Sequence, residues 1–300
     1  MRLRSPATTA LAFVALAASA VACTIPVFRY ALDRWPADAF RLVVPAAMAK
    51  QPDIAKMLVP LIGNPPANIK IETAKDASVK EAQLLFGTFD APPIWSGAVN
   101  AESLQKLLES PARADLIKRI LAGESVIWVF ADNGTPEDKA EFDRISKRLR
   151  YLQQVVALPP QDPNDPDSQL GNGPPLKLEL TAVRVSMKDE AEKLFCAMLA
   201  GTKCAEALAK GEPFAAPVFG RGRVLGSFPL KDLDDAALED ITMFLTGRCS
   251  CRVKNQSPGW DVLLKVDWDS ALEKAQADVP AVKKNSVVKP EAVRIEPRKP

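Results

Sequence analysis

The chain has 300 residues, of which 47% are hydrophobic and 25% are charged, and its formal net charge is +2. This length suits one large domain or two of ordinary size, and the net charge is too small for a nucleic-acid-binding surface. The chain contains no histidine, which excludes histidine metal ligands and histidine-activated serine or cysteine nucleophiles. The composition therefore favours a non-enzymatic protein without a cofactor.

The first 22 residues have the pattern of an export signal. Two arginines precede an uncharged run of apolar and small residues from Ala10 to Ala22, which is too short to span a bilayer as a helix but suits a signal peptide. The alternative is a buried helix at the N-terminus. Residues 20–22, Ala-Val-Ala, fit ordinary signal peptidase. The same residues followed by Cys23 resemble a lipobox, whose cysteine is lipidated and becomes the mature N-terminus, although Ala20 stands where the usual lipobox has leucine.

Lipidation of Cys23 predicts a protein that its lipid anchors to a membrane, with the folded part in the periplasm. Thr24, which follows the cysteine, resembles the signal that routes lipoproteins to the outer membrane. Without lipidation the prediction is a soluble secreted protein. Both routes lead out of the cytoplasm, so disulfides are permitted. Lipidation uses one of the five cysteines and leaves four, which is enough for two pairs.

Residues 25–123 are predicted to alternate helices and strands. The apolar residues of 27–35 recur at helical spacing, and Ile69, Ile71 and Thr73 alternate as in a strand. In chain order we predict a helix at 27–35, a strand at 40–44, a helix at 52–63, a strand at 67–74, a helix at 77–86, a strand at 92–99, and a helix at 101–123 that breaks near Pro111.

The pattern then starts again. Thr135 is predicted to cap a long helix that has Pro136 in its first turn, and Gly201 is predicted to end another. In chain order we predict a strand at 125–132, a helix at 135–158, a polar loop at 159–175, a strand at 176–186, a helix at 189–201, a hairpin at 214–228 and a helix at 235–247. Residues 271–300 end in a run rich in Pro, Lys and Val without a sustained period, so we predict a disordered tail.

The order of elements in 125–247 is that of the thioredoxin family, and residues 40–110 follow a similar course. The predicted fold is therefore α/β, with thioredoxin-like three-layer α/β/α mixed sheets in tandem, in domains 23–123 and 124–270. A single α/β domain of another topology is the alternative.

Residues 215–228, AAPVFGRGRVLGSF, resemble the third strand, turn and fourth strand of the thioredoxin family. This resemblance implies a cis bond before Pro217, with Pro93 as its counterpart in the first half. One departure matters more. The family carries a C-x-x-C at the start of its first helix, whereas residues 130–139, FADNGTPEDK, contain no cysteine. The usual dithiol chemistry is therefore not expected.

The chain also resembles a family of exported bacterial proteins of uncharacterised activity. The resemblance rests on ACTIPVFRYALDRW at 22–35, FGRGR at 219–223 and CSCRVKNQSPGWDVLL at 249–264. It implies export and the ends of the folded part, and it implies no mechanism.

Cys249 and Cys251 allow three interpretations. A structural role, with one or both bridged to a distant cysteine, would stabilise the fold by about 3–4 kcal/mol. A redox pair flanked by Arg248 and Arg252 would form a strained, oxidising disulfide, although the C-terminal end of a helix disfavours thiolates. A soft-metal site would hold Cu(I) between the two thiolates. The sequence favours the structural role and leaves the other two open.

Two further cysteines, Cys196 and Cys204, are predicted to be structural, either paired across the turn at 201–203 or buried as thiols. Arg221 and Arg223 in the GRGR turn offer an anion site, but a hairpin turn explains the glycines. The most economical prediction is an exported, lipid-anchored scaffold or binding protein whose partners are the membrane and another exported protein.

Overall fold

The computed structural model describes residues 24–76, 78–161, 164–248 and 259–277. These residues form an α/β structure with two mixed β-sheets, so the predicted fold class is confirmed at this level.

The first sheet contains four strands in the order β2-β1-β3-β4. β1 runs parallel to β2 and antiparallel to β3, and β3 runs antiparallel to β4. The strands are β1 at Phe40–Val44, β2 at Ile69–Thr73, β3 at Ala82–Leu85 and β4 at Trp95–Gly97.

The helix predicted at 77–86 is wrong, because β3 occupies Ala82–Leu85. Ala82 and Leu84 are completely buried, and their neighbours in the strand are half-buried. Ala, Gln and Leu favour helices in isolation. Pairing with β1 and burial of one side-chain face therefore override the local preference.

The second sheet has the order β10-β8-β7-β5-β6, and β9 pairs with β7 outside this path. β5 runs parallel to β6 and antiparallel to β7, and β8 runs antiparallel to both β7 and β10. The strands are β5 at Val126–Asp132, β6 at Leu180–Ser186, β7 at Phe214–Phe219, β8 at Arg223–Val224, β9 at Phe228–Pro229 and β10 at Trp260–Asp261. β10 is an edge strand that the sequence did not predict.

The helices surround these sheets, and the predicted start of the longest one is confirmed. Thr135 accepts a hydrogen bond from the backbone N–H of Asp138, whose carboxylate in turn accepts one from the N–H of Thr135. The helices are α1 at Val27–Arg34, α2 at Ala46–Ala49, α3 at Pro52–Leu58, α4 at Ala101–Leu108, α5 at Pro111–Leu121, α6 at Pro136–Val155, α7 at Lys193–Ala200, α8 at Ala205–Ala209, α9 at Asp235–Thr246 and α10 at Trp268–Ala277, with a 3-10 turn at Val59–Leu61.

The second sheet lies between two groups of apolar side chains. On one face, Trp128 and Phe130 pack with residues of α1, α6 and α9. On the other face, Ile127 and Val129 belong to a cluster that includes Leu42 of the first sheet together with residues of α5, α7 and α10. The two sheets therefore share one core, and the predicted boundary between residues 123 and 124 is crossed by extensive packing.

Helix α1 precedes the first sheet in sequence but packs on the second. Its residues Val27, Phe28 and Ala31 lie in the cluster that surrounds Trp128. The backbone N–H of Val27 donates to the carbonyl of Gly247 at 3.0 Å. The N-terminal segment is thus part of the core of the second sheet.

Pro217 lies in the middle of β7, where it faces Trp128 of β5 across an antiparallel pair. None of the described residues has a cis peptide bond, so the predicted cis bond at Pro217, and its counterpart at Pro93, are wrong. The carbonyl of Pro217 accepts from the N–H of Leu225 at 3.3 Å. Pro217 is therefore an extended strand residue that pairs with Trp128 on one side and with Leu225 on the other.

The predicted tail begins too early. Helix α10 reaches Ala277, and its side chains Trp268 and Leu272 are buried against the core. The rest of the predicted tail, 278–300, lies outside the described residues. Within the described part of the chain, no helix combines the length and the apolar character needed to cross a bilayer.

Candidate functional site

Three of the predicted site residues, Cys23, Cys249 and Cys251, lie outside the described residues. The residues that border them are neighbours. Pro26 and Arg248 form an isolated antiparallel β-bridge, and Cys249 is the next residue in the sequence after Arg248. Thr24 is held by Ser168, whose hydroxyl lies 2.7 Å from the Thr24 hydroxyl.

Cys196 and Cys204, the two described cysteines, are buried as free thiols. Burial raises the pKa of Cys196 to about 12, and the carboxylate of Glu192 adds to this shift. Burial also raises the pKa of Cys204, against a smaller opposing effect of a hydrogen bond with Ser227. Of the two structural alternatives, the described structure has buried thiols rather than a pair. Neither thiol has the low pKa of a redox cysteine.

The buried thiols lead to a direct prediction. In a variant with Cys23, Cys249 and Cys251 replaced by serine, Cys196 should react with iodoacetamide at pH 8 at least about 10³-fold more slowly than a free thiol, because so little thiolate is present. Cys204, whose pKa is also raised, should react more slowly than a free thiol as well. Both should react fully in guanidinium chloride. Mass spectrometry counts the alkylated thiols. Fast labelling of the folded protein would contradict the prediction, as would a chain that stays unalkylated after unfolding because the two thiols are bridged.

The start of α6 is the position where the thioredoxin resemblance would place a C-x-x-C. Here the carboxylate of Asp138 accepts hydrogen bonds from the N–H groups of Asn133 and Thr135, at 3.0 and 3.1 Å. Behind it, the buried carboxylate of Asp132 pairs with Arg184 at 2.7 Å. The N–H of Asp138 in the first turn of α6 donates to the hydroxyl of Thr135. The chain's own side chains thus cap this helix start, and residues 130–139 supply no thiol there.

The two arginines of the GRGR turn are bound within the chain. Arg223 is buried and donates to Asp38 at 2.7 Å, and the backbone N–H of Asp38 donates to the carboxylate of Asp261 at 2.6 Å. Arg221 donates to the carbonyl of Leu32 at 2.9 Å. These contacts join the turn to α1, to the segment before β1 and to β10, so the arginines serve the fold and the anion-site hypothesis loses its support.

A groove of about 940 Å³ opens where α4 meets α5. Its floor contains the buried guanidinium of Arg113, which donates to three carbonyls: those of Leu107 at 2.8 Å, Lys106 at 2.8 Å and Leu263 at 3.2 Å. Burial lowers the pKa of Arg113 to about 10, and the carboxylate of Glu192 opposes this shift. Arg113 therefore stays charged at neutral pH.

Glu192 does not line the groove, but it binds Ser110, which does. Its carboxylate accepts from the hydroxyl of Ser110 at 2.6 Å and from the N–H of Ala112 at 2.8 Å. The hydroxyl of Ser110 also accepts from Nε of Arg113 at 3.2 Å. Because every one of these groups is held by several partners, the floor has a fixed shape and charge.

The walls of the groove combine apolar side chains with charges of both signs. Lys106 pairs with Glu102, and Lys265 pairs with Glu109. The remaining lining includes Leu108, Pro111, Ala114, Ile117, Asp189, Glu190 and Ala191. Such a surface suits a peptide segment with apolar residues flanked by charges better than it suits a small anion.

The sequence analysis missed this groove, although it contained one signal. Arg113 lies three residues before Leu116 and seven before Ile120, which puts its charge on the apolar face of α5. A charge on a buried face must find partners inside the protein. The sequence does not show which partners Arg113 finds, because they include residues far along the chain, near 192 and 263.

Comparison of the chain with protein-family models, curated proteins and solved structures finds no match. Among residues 24–76, 78–161, 164–248 and 259–277, no group of three or more acidic or cysteine side chains is placed to hold a metal ion. The geometry thus defines an α/β protein with a groove and buried thiols.

Proposed function

We propose that the chain is an exported, lipid-anchored, thioredoxin-like protein that binds another exported protein and lacks dithiol chemistry. The observation that carries the binding role is the groove between α4 and α5. Its floor residues Arg113 and Ser110 are held by hydrogen bonds, one of them to Glu192, and its walls offer apolar and charged contacts. We also propose membership of the exported bacterial family on the sequence motifs given above.

Strand connectivity supports the thioredoxin-like part of this proposal. In each sheet the first strand runs parallel to the second and antiparallel to the third, and the third runs antiparallel to the fourth. Thioredoxin-like sheets have this arrangement. The first sheet departs from the pattern, because the helix expected between its second and third strands is replaced by a turn that leads into β3.

The position of the first packed residues supports processing before Cys23. Ile25 and Val27 are buried in the core, and Thr24 hydrogen-bonds Ser168. Removal of residues 1–22 would therefore leave every described contact of the fold in place. A lipid on Cys23 would stand one residue away from this anchored segment.

The redox and Cu(I) alternatives at Cys249 and Cys251 stay predictions. The described residues give them little support. Helix α9 ends at Thr246, and Cys249 follows three residues later in the sequence. The C-terminal end of a helix disfavours thiolates because of the helix dipole. Cys196 and Cys204, the described thiols, are buried.

The binding role is tested by photo-crosslinking in the cell envelope. The full-length protein would carry p-benzoylphenylalanine at Ala114, which lines the groove, or at Lys139, an exposed position on α6 outside it. We expect a discrete crosslinked protein at position 114 that is absent at 139. Replacing Ile117 by Glu in the groove wall should remove the product. The same products at both positions, or no product at 114, would contradict the binding role.

A further inference from the structure

Helices α6 and α9 lie side by side and run in the same direction. Arg144 pairs with Asp235 at 2.8 Å, and one turn later Arg148 pairs with Glu239 at 2.8 Å. From the first pair to the second, the residue number rises by four in both helices. The two helices are therefore parallel, and their C-terminal ends lie on the same side. Beneath these ion pairs, both helices bury apolar residues against the second sheet.

Near its C-terminal end, each of these helices exposes two large apolar side chains. Met243 lies one turn beyond Glu239, and Val155 lies two turns beyond Arg148. Tyr151 and Phe244 extend the same surface, and the ring of Tyr151 lies against the guanidinium of Arg148. These four side chains are between 41% and 56% exposed, which is unusual for such large apolar groups in one place. We call Tyr151, Val155, Met243 and Phe244 the apolar end.

The apolar end adjoins the start of the described chain. The carbonyl of Gly247, the residue that follows α9, accepts from the N–H of Val27 at 3.0 Å. Beyond Val155, the side chain of Gln161 donates to the carbonyl of Thr24 at 2.9 Å. Each helix that carries the apolar end is therefore followed, within six residues, by a residue that hydrogen-bonds the segment 24–27.

We propose that the apolar end is a membrane-contact surface that rests on the phospholipid bilayer holding the anchor, an inference that rests on the lipid-anchored function proposed above. The apolar signal segment leads into the folded chain at Thr24, so a lipid on Cys23 brings this end of the molecule to the bilayer. Partly exposed Tyr, Phe and Met side chains enter the headgroup region readily.

The charges around the apolar end include the exposed carboxylate of Asp240, one turn before Phe244, but basic side chains outnumber it. Lys147 and Arg150 are exposed on the last turns of α6, and Arg248 is exposed beside the bridge to Pro26. Basic side chains beside apolar ones are the composition of surfaces that lie on anionic membranes. The groove opens between α4 and α5, on elements that belong to the other apolar cluster, and does not share these residues.

The test holds the protein at a bilayer without relying on natural lipidation. Residues 24–300 carry an N-terminal hexahistidine, which is the sole histidine segment because the chain has none. Vesicles of phosphatidylethanolamine and phosphatidylglycerol contain a nickel-chelating lipid. p-Benzoylphenylalanine replaces Phe244 or, in a second variant, Met243. A control carries it at Ile62, which is more exposed than either position and follows the turn beside the first sheet.

We expect at least about 5-fold more lipid adduct at positions 243 and 244 than at 62, measured by mass spectrometry after irradiation. Equal adduct yields would overturn the proposal. So would adducts at 243 and 244 formed with a second copy or with residues 249–258 instead of lipid. Because the tag replaces the acyl chains, a lipid-free Cys23 in the natural protein would overturn the anchor alone and leave this result interpretable.

Discussion

Replacing Arg113 by alanine is expected to lower the free energy of unfolding by about 3–5 kcal/mol. The guanidinium is almost fully buried, and its loss leaves the carbonyls of Leu107, Lys106 and Leu263 without their donor. It also leaves the carboxylate of Glu192 facing a cavity without the nearby positive charge. Removing one member of a buried polar network lowers the free energy of unfolding by more than the whole network adds to it, because the remaining polar groups stay buried without partners.

A matched control lies on the same helix. Arg119 pairs with Asp115 and Glu124, but a third of its side chain is exposed. Arg119→Ala should therefore lower the free energy of unfolding by no more than about 1 kcal/mol. Urea unfolding followed by circular dichroism measures both variants. A similar, small effect of both substitutions would show that the floor of the groove is not the fixed element described above.

The second large effect concerns Cys23. Replacing it by serine should move the protein from the membrane fraction to the soluble fraction, with a change in partition of at least about 100-fold, because the acyl chains supply most of the membrane affinity. Cell fractionation and immunoblotting measure the change. Cys249→Ser is the control, and it should leave the protein with the membrane. If ordinary signal peptidase cleaves after Ala22, Cys23→Ser will change nothing.

Local patterns predicted much of the fold. The predicted strand at 125–132 contains the unbroken apolar run 126–131, and the structure buries all seven residues of Val126–Asp132. The cap at Thr135 and the glycine stop at Gly201 follow from backbone chemistry that acts within a few residues. Such features can be predicted from the sequence because the residues that interact in them lie close together in the chain.

Features that depend on distant residues were missed. Residues 82–85 become a strand only because Val43 and its neighbours pair with them, and Trp260 becomes an edge residue whose indole donates to the carbonyl of Met198 at 2.7 Å. The resemblance at Pro217 predicted a cis bond, whereas the structure pairs this residue on both sides as ordinary strand. Long-range pairing decided each of these cases.

The candidate site divides in the same way. Residues 130–139, where the thioredoxin resemblance would place the dithiol, contain no cysteine, and in the structure the carboxylate of Asp138 accepts hydrogen bonds from Asn133 and Thr135 there. The groove could not be predicted, because its floor residues Ser110 and Arg113 are held in place by Glu192, about 80 residues away along the chain. Only the buried position of a charged residue in α5 gave an indication of it.

The central proposal is that a lipid anchors the protein at Cys23, and the intact mass of the protein extracted from membranes tests it most directly. The account predicts a chain that begins at Cys23 and carries a diacylglyceryl group on its sulfur, with two thiols, those of Cys196 and Cys204, alkylated only after unfolding. A chain that begins at Cys23 with a free, unmodified thiol, or one that retains residues 1–22, would contradict it.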